Sequence, residues 1–198
     1  MNRHVRPDHS YRDTGGFSAV ELLITVGIMG VLMAMAAFSI GQTIPGYKGD
    51  GAMRVLLAQI NSARELAIAQ RRVMRLTFTG GNLVQIIREE VPIGGAPLTT
   101  TVVGSAYVEG GATFMLDPLV TTDTPDSFGN SAALAFGGAT LVRFNTEGSL
   151  VDQSSNPLNG TVFVELPKQP RSLRAVTVLG STGRIRAYRW DGGQWRLV

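Results

Sequence analysis

The chain contains no cysteine, only two histidines, and few aromatic or charged residues. The absence of cysteine excludes disulfides, cysteine nucleophiles and thiolate metal sites. The two histidines, His4 and His9, both precede the first long apolar segment, so the rest of the chain has no imidazole for acid–base catalysis. We therefore predict that the protein is not an enzyme, with no catalytic residues, no metal and no cofactor.

Charge is scarce but unevenly placed. Residues 89–152 carry eight acids against a single base, Arg143, whereas residues 168–198 carry seven bases against a single acid, Asp191. Such polarity fits a domain with an acidic and a basic side, contacts between neighbouring subunits, or a docking strip for a polyanion. The sequence leaves these three interpretations open.

A long apolar run lies near the N-terminus. The 24 residues from Phe17 to Ile40 contain one charge, Glu21. At a rise of ~1.5 Å per residue they form a helix of about 36 Å, enough to cross a bilayer. The polar segment before it has a slight excess of arginine, which predicts a cytoplasmic N-terminus and export of everything that follows the helix.

Glu21 is unfavourable inside hydrocarbon, where an acid costs roughly 2.5–3.5 kcal/mol at mid-membrane and less near the surface. Such an acid needs a partner. Cleavage between Gly16 and Phe17 would create an α-amine four residues before Glu21, and residues spaced by four share one helix face. The new amine and the carboxylate, within one chain or between stacked chains, would then neutralise each other.

The residues around this position match a known signal. Gly16, Phe17, Glu21, Leu22 and Leu23 agree with the pattern G-F-T-L-I-E-L-L, and the three residues between them depart conservatively. The segment thus resembles the class III signal of type IV prepilins and pseudopilins. The resemblance implies that a prepilin peptidase cuts after Gly16 and N-methylates Phe17, and that Glu21 is the carboxylate used in assembly.

Two other interpretations of this segment remain. The run could be a plain transmembrane anchor, or a leader cut by signal peptidase I near Ala34–Ala36, where an A-x-A pattern occurs. A glutamate within the apolar run argues against both.

The sequence predicts three parts: a leader over 1–16, a transmembrane and assembly helix with a hinge over 17–51, and an exported domain over 52–198. Pro45, with glycines on either side of it between Gly41 and Gly51, predicts a kink or an unwound stretch. A second helix is predicted from Ala52 to about Arg72. Its apolar stripe recurs at spacings of three and four residues: Met53, Leu56, Ile60, Ala63 and Ala67.

From Val73 onward the pattern becomes that of β-strands separated by glycine-rich turns. The predicted strands are Val73–Thr79, Leu83–Arg88, Thr101–Val108, Thr113–Leu116, Ala133–Phe136, Thr140–Asn145, Thr161–Leu166, Leu173–Leu179, Arg184–Trp190 and Gln194–Leu197. A long acidic loop is predicted from Asp117 to Ser131. One long helix packed on antiparallel sheets is an α+β fold.

A second resemblance lies in the C-terminal half. The strand-forming segments at 142–148, 161–164, 174–178 and 183–185 are similar in order to those of GspH/FimT-type minor pseudopilins, although Thr146 stands where that family often has proline. This implies a pilin-like structural subunit of a type II secretion pseudopilus or a type IV pilus. It further implies a single-pass protein of the bacterial inner membrane, with a periplasmic domain and other pilin or pseudopilin subunits as partners.

The arginine-rich tail supports an alternative function. Strand alternation places Arg184, Arg186, Tyr188 and Trp190 on one face, and Arg189 on the other. Guanidinium groups beside aromatic rings suit phosphate contact and base stacking. The tail also partly resembles that of DNA-binding FimT-type minor pilins, except at Ala187. The alternative is thus a DNA-binding minor pilin using Arg184, Arg186 and Arg189; otherwise these arginines simply keep a sheet edge soluble.

Two sets of acids are candidate sites. Glu89 and Glu90 would point to opposite faces of a strand and so would not form a catalytic pair. Asp123 and Asp126 could bind calcium in their loop, but the sequence lacks a spaced set of carboxylates around them. We therefore predict no metal site.

Overall fold

A computed structural model describes residues 16–92, 94, 96–139 and 141–198. The predicted leader before Gly16, Gly95 of a predicted turn, and Thr140 of a predicted strand lie outside the described residues. The chain divides into two compact units, one ending at Gln42 and the other running from Thr43 to Val198. The two units are described separately below.

One helix, α1, runs from Ala19 to Gln70. The predicted interruption between Gly41 and Gly51 is therefore wrong, because Pro45 lies inside a continuous helix. Proline removes only its own N–H donor, here the one that the Gly41 carbonyl would accept, while the other helical bonds can persist. A bend at Pro45 remains a prediction.

The first unit presents an apolar surface. Ala19–Ala37 has a mean hydropathy of 2.2, and none of it is buried in the structure. By length and composition this segment is suited to cross a membrane. Its large apolar side chains, such as Leu23 and Met33, are among the most exposed in the described chain.

The second unit contains the rest of α1 and ten strands. The strands are β1 Met74–Thr79, β2 Leu83–Glu89, β3 Thr100–Tyr107, β4 Leu134–Ala135, β5 Val142–Phe144, β6 Leu150–Val151, β7 Gly160–Leu166, β8 Gln169–Leu179, β9 Arg184–Trp190 and β10 Trp195–Leu197. They form two five-stranded sheets, in the orders β3-β2-β1-β5-β6 and β10-β9-β8-β7-β4. Every pairing between neighbouring strands is antiparallel.

The predicted α+β class, with a long helix on antiparallel sheets, is confirmed. Some strand ends shift, as in β8, which begins at Gln169 and not at Leu173, and two further details differ from the prediction. Residues 113–116 form no strand; Thr113 instead makes a single bridge to Glu165. The two-residue strand β6 was not predicted, because a segment so short leaves no alternating pattern to detect.

The main core forms around the C-terminal half of α1. The predicted stripe, Met53, Leu56, Ile60, Ala63 and Ala67, is buried to within 2% of complete burial. It belongs to one cluster with residues of both sheets, including Leu76 and Phe144 of the first and Val162 and Val176 of the second. The 3.6-residue period therefore identified the packed face of the helix.

A second apolar cluster lies on the other face of the second sheet. It contains Phe163, Tyr188, Trp190 and Trp195, together with Val120 from the segment before β4. That segment, the predicted acidic loop 117–131, contains neither helix nor strand, as expected. It also accepts a hydrogen bond at the Thr122 carbonyl from the Trp195 indole, 2.9 Å away. The loop thus covers part of this sheet.

Candidate functional site

The predicted cleavage position lies just before α1. Gly16, Phe17 and Ser18 are outside the helix, and Phe17 is 83% exposed. The Ser18 hydroxyl accepts a hydrogen bond from the Val20 N–H at 3.4 Å, so Ser18 takes the position of an N-cap. A peptide bond in an exposed, non-helical segment is accessible to a protease.

Glu21 lies in the first turn of α1 and is exposed. Within the described residues its carboxylate has no hydrogen bond and no ion pair. A carboxylate in the first turn is compatible with the positive end of the helix dipole. Its surroundings are otherwise apolar, since Val20 and Leu22 flank it. The arrangement therefore leaves a charge for which the described part of the chain supplies no cation.

The predicted DNA-binding arginines of β9 lie next to acids of the same domain. Arg186 donates to Asp126 Oδ1 at 2.9 Å, and Arg184 lies 3.9 Å from the same oxygen. The other oxygen, Oδ2, accepts hydrogen bonds from the hydroxyls of Thr177 at 2.6 Å and Tyr188 at 2.9 Å. Four side chains thus converge on a carboxylate that is only 7% exposed.

The pKa of Asp126 reflects this arrangement. Burial acts to raise it, but the hydrogen bonds from Thr177 and Tyr188 and the charge of Arg186 outweigh burial, so the pKa is lowered from its usual value. Asp126 is consequently ionised at neutral pH and offsets one of the two arginine charges beside it.

Arg189 lies on the opposite face of β9, as predicted. It donates to Asp50 Oδ2 at 2.7 Å, while Arg174 of β8 donates to Asp50 Oδ1, also at 2.7 Å. Arg174 is buried and also donates to the Gly46 carbonyl at 2.9 Å. Asp50 therefore connects α1 to two strands of the second sheet.

These contacts change the interpretation of the charge pattern. Asp126 of the acidic segment meets the arginines of the basic segment directly, so the two segments do not simply form separate acidic and basic sides. The opposite charge excesses of the two segments were the sequence signal for the contact between Asp126 and the arginines. The contacts of Asp50 had no such signal, because Asp50 lies outside both segments in a glycine-rich stretch.

The other acids that the sequence offers as candidate sites have separate partners. Glu89 contacts Arg143 at 3.3 Å and Glu90 contacts Arg88 at 2.6 Å, so they do not form one site. Asp123 accepts hydrogen bonds from the backbone N–H groups of Thr124 and Gly129. Across the described ranges, no group of three or more His, Cys, Asp or Glu side chains is placed to hold a metal ion.

One buried acid was missed by sequence reasoning. Glu165 of β7 is almost fully buried, and its Oε2 atom has no hydrogen-bond partner in the part of the chain that the structure describes. Burial, together with the nearby charge of Asp117, raises the pKa of Glu165 to about 7, although the Asp117 N–H acts in the opposite direction. The alternating strand pattern gave no sign of this, because it places Glu165 on the face of β7 opposite Val162 and Val164, where an acid would ordinarily be exposed to solvent.

Comparisons with known proteins give one distant likeness. No family model and no curated protein sequence matches the chain. Among solved structures, the chain is similar to the type IV minor pilin FimU of Pseudomonas aeruginosa, with 15% identity and a TM-score of 0.47. The match covers 74% of this chain and 91% of the FimU chain. A likeness at this level does not assign a function.

Proposed function

We propose that the protein is a minor pilin or pseudopilin, a structural subunit of a type IV pilus or of a type II secretion pseudopilus. A prepilin peptidase cleaves it after Gly16 and methylates the new N-terminus, Phe17. The first part of α1 holds it in the inner membrane, with the domain in the periplasm, until it joins other subunits in a filament. The chain is a substrate of the peptidase and a building unit, not a catalyst.

The observation that carries this proposal is Glu21 in an exposed apolar helix that starts three residues after Gly16. An exposed segment such as Ala19–Ala37 requires lipid or other apolar helices around it. In either environment the charge of Glu21 is unfavourable unless a cation cancels it. Cleavage after Gly16 supplies such a cation, the α-amine of Phe17, four residues away along the chain.

The alternative, a DNA-binding minor pilin, receives less support. Its three arginines already have carboxylate partners within the domain, Asp126 for Arg184 and Arg186, and Asp50 for Arg189. A phosphate would have to compete with these carboxylates. A gel-shift assay at low salt, comparing the chain with its Arg184→Ala and Arg186→Ala variants, tests this alternative; arginine-dependent binding would support it.

The test of the main proposal is processing. The full chain is produced with and without a prepilin peptidase, and the mature N-terminus is sequenced. We expect Phe17 as the first residue, no cleavage in Gly16→Ala, and normal cleavage in the matched control Gly27→Ala, since Gly27 also has no close neighbours. A different first residue, or only full-length chain in the presence of active peptidase, would refute the proposal.

The role of Glu21 is tested in sheared or cross-linked filaments. Glu21→Gln keeps the shape of the side chain and removes its charge, so we expect cleavage to continue while incorporation into filaments falls strongly. The control is Glu65→Gln, an exposed acid further along α1. Normal incorporation of Glu21→Gln would remove the assigned role of this carboxylate.

A further inference from the structure

The first sheet packs one face on the main core. Met74 and Leu76 of β1 and Val84 and Ile86 of β2 belong to that core. The residues that alternate with them lie on the opposite face of the sheet, which we call the outer face. The outer face includes Arg75 and Thr77 of β1, Gln85, Ile87 and Glu89 of β2, Val102 of β3 and Arg143 of β5.

Two arginines of the outer face lie opposite each other. Arg75 of β1 and Arg143 of β5 are direct partners in the antiparallel register, and like charges at such positions repel. The five strands of this sheet contain one acid, Glu89. Arg143 donates to the Glu89 carboxylate at 3.3 Å and to the backbone carbonyls of Asp152 at 3.0 Å and Gln153 at 2.8 Å. Glu89 is thus paired with Arg143, and no acid of these strands is left for Arg75.

The next acid along the chain after Arg143 and Glu147 is Asp152, just beyond β6. Its carboxylate accepts hydrogen bonds from the backbone N–H groups of Ser154 at 2.8 Å and Asn156 at 2.9 Å. Its charge acts on Arg143, which helps to lower the pKa of Asp152, although the hydrogen bond from the Asn156 N–H is the largest cause. Asp152 therefore adds to the counter-charge of Arg143.

Arg75 differs from Arg143 in its contacts. Its side chain makes no hydrogen bond and no ion pair with any described residue, and its Nε atom is buried. The hydroxyl oxygen of Thr77, two residues along the same strand, is also buried and unpartnered. With the Nε atom of Arg143, three of the six buried polar side-chain atoms that lack a partner in the described chain lie on the outer face. Buried polar groups are ordinarily hydrogen-bonded, so the described chain leaves this face unusually poorly satisfied.

Apolar side chains lie beside Arg75 on the outer face. Ile87 of β2 is directly opposite Arg75, and Val102 of β3 is directly opposite Ile87. Ile87 is half-buried, and Val102 is 55% exposed. An arginine next to accessible apolar side chains is typical of the centre of a protein interface, where arginine is enriched and other charged residues are depleted.

We propose that the outer face binds a segment of another protein that presents an aspartate or glutamate side chain between apolar ones. The carboxylate pairs with the Arg75 guanidinium, which can donate two parallel hydrogen bonds to it. The apolar side chains of the segment contact Ile87 and Val102. The charge of Arg75 selects an acid, because a neutral segment would cover the guanidinium without a counter-charge and a basic segment would be repelled.

A second copy of the chain packed face to face fits this surface less well. A symmetric pair uses the same surface on both copies, so it would bring the arginines of one outer face against those of the other. Glu89 could not compensate, because its side chain is only 9% exposed and is paired with Arg143. The outer face is therefore not complementary to itself, and a symmetric dimer through it is not expected.

The test uses the full chain in detergent micelles and a displayed library of random peptides as the probe. Clones are kept if they bind the unmodified chain and do not bind Arg75→Gln. We expect such clones to be enriched in aspartate and glutamate over the unselected library. In fluorescence anisotropy, Arg75→Gln should weaken the Kd of a selected peptide by about tenfold or more, the loss of a charge-assisted hydrogen bond. The matched control Arg54→Gln, which removes an exposed arginine of α1, should bind normally.

An exchange of charges sharpens the test. Replacing the acid of a selected peptide by lysine should abolish binding to the unmodified chain and restore binding to Arg75→Glu. Arg75→Lys keeps the charge and loses the paired hydrogen bonds, so it should bind the acidic peptide more weakly than the unmodified chain and more tightly than Arg75→Gln. Near-ultraviolet circular dichroism verifies that each variant keeps its fold.

Three results would overturn the proposal: no clone that depends on Arg75, Arg75-dependent clones without an excess of acids, or equal loss of binding in Arg54→Gln and Arg75→Gln. Association of the chain with itself that is lost in Arg75→Gln, measured by sedimentation without peptide, would assign the outer face to a second copy and also contradict the proposal. The test uses the uncleaved chain, so its result does not depend on cleavage after Gly16.

Discussion

Of the three acids of α1, Glu21 lies in the apolar part and Asp50 and Glu65 lie in the part that belongs to the domain; Asp50 and Glu21 differ in their partners. Asp50, in the part that belongs to the domain, accepts hydrogen bonds from Arg174 and Arg189 at 2.7 Å. The carboxylate of Glu21, in the apolar part, has no hydrogen bond or ion pair within the described residues. The surrounding side chains differ in the same way, because the stripe Met53–Ala67 is buried and Ala19–Ala37 is exposed.

This comparison indicates where each part of the helix obtains its apolar contacts and its counter-charges. The packed part obtains its apolar contacts and its counter-charges from the two sheets of the same chain. The apolar part obtains neither from the described residues; in the proposed function, lipid and other subunits supply both. Substitutions in the packed part should therefore change the stability of the domain, whereas the same substitutions in the apolar part should change only membrane or filament behaviour.

The largest difference is expected between the two acids. Asp50→Ala leaves the buried Arg174 guanidinium without its counter-charge, and removing one partner of a buried pair costs about 3–5 kcal/mol. Glu21→Ala should leave the unfolding free energy of the domain unchanged. Trp190 and Trp195, the only tryptophans, lie in the domain, so their fluorescence during denaturant unfolding reports this quantity. Equal stability of the two variants would show that Asp50 is not a structural acid.

The next difference is expected between two leucines. Leu56 is fully buried in the main core, and Leu56→Ala should destabilise the domain by about 2–5 kcal/mol through lost burial and the cavity that it leaves. Leu32 is 60% exposed, so Leu32→Ala should have no effect on domain unfolding. The same tryptophan signal measures both variants. A large loss of domain stability in Leu32→Ala would break the comparison.

A pair of glycines gives a smaller effect. A methyl group at Gly49 would clash with the backbone carbonyl of Ser172, whereas a methyl group at Gly30 has no neighbour within 4 Å. Gly49→Ala should destabilise the domain by about 1–3 kcal/mol, as overpacking does. Gly30→Ala should leave domain unfolding unchanged. Thermal unfolding followed by near-ultraviolet circular dichroism distinguishes the two, and equal midpoints would contradict the close packing at Gly49.

These glycines also show what the sequence could and could not predict. The prediction around Gly49 and Pro45 used local preferences, which favour a break, and it missed the contacts to β8 that stabilise the helix there. The packed stripe of α1 and most strands were predicted correctly, because apolar periodicity records burial directly. Local preference and periodicity both describe residues that are close along the chain. Ser172 is far from Gly49 in sequence, so neither signal could predict their contact.

The charged contacts illustrate the same limit. The alternation of β9 correctly separated Arg186 from Arg189, because strand geometry depends only on sequence spacing. The carboxylates that meet them, Asp126 and Asp50, are separated from these arginines by 60 and 139 positions. Spacing cannot predict such pairs. The motif from Gly16 to Leu23 could be identified because its proposed function depends on a continuous segment.

The smallest effect concerns an acid that is buried without a cation. Glu165 has a pKa of about 7, raised by burial and by Asp117, whereas its pKa in the unfolded chain is close to 4.5. Between these values the folded state binds more protons than the unfolded state, so the free energy of unfolding falls as the pH rises from about 4.5 to about 7. We expect a loss of about 1–2 kcal/mol, since the effective dielectric of a protein interior lowers the cost of burying the ionised carboxylate.

Glu165→Gln tests this expectation, because it keeps the shape of the side chain and cannot ionise. Its unfolding free energy should be nearly constant over that pH interval, whereas the unfolding free energy of the unmodified chain declines. Asp123→Asn, which removes a different acid, is the control. Parallel pH profiles for the chain and Glu165→Gln would contradict the assignment. A decline specific to Glu165 would show that this domain, when it lacks a cation, accommodates a buried carboxylate by protonation. That result would sharpen the comparison with Glu21, for which the proposed cation is the α-amine of Phe17.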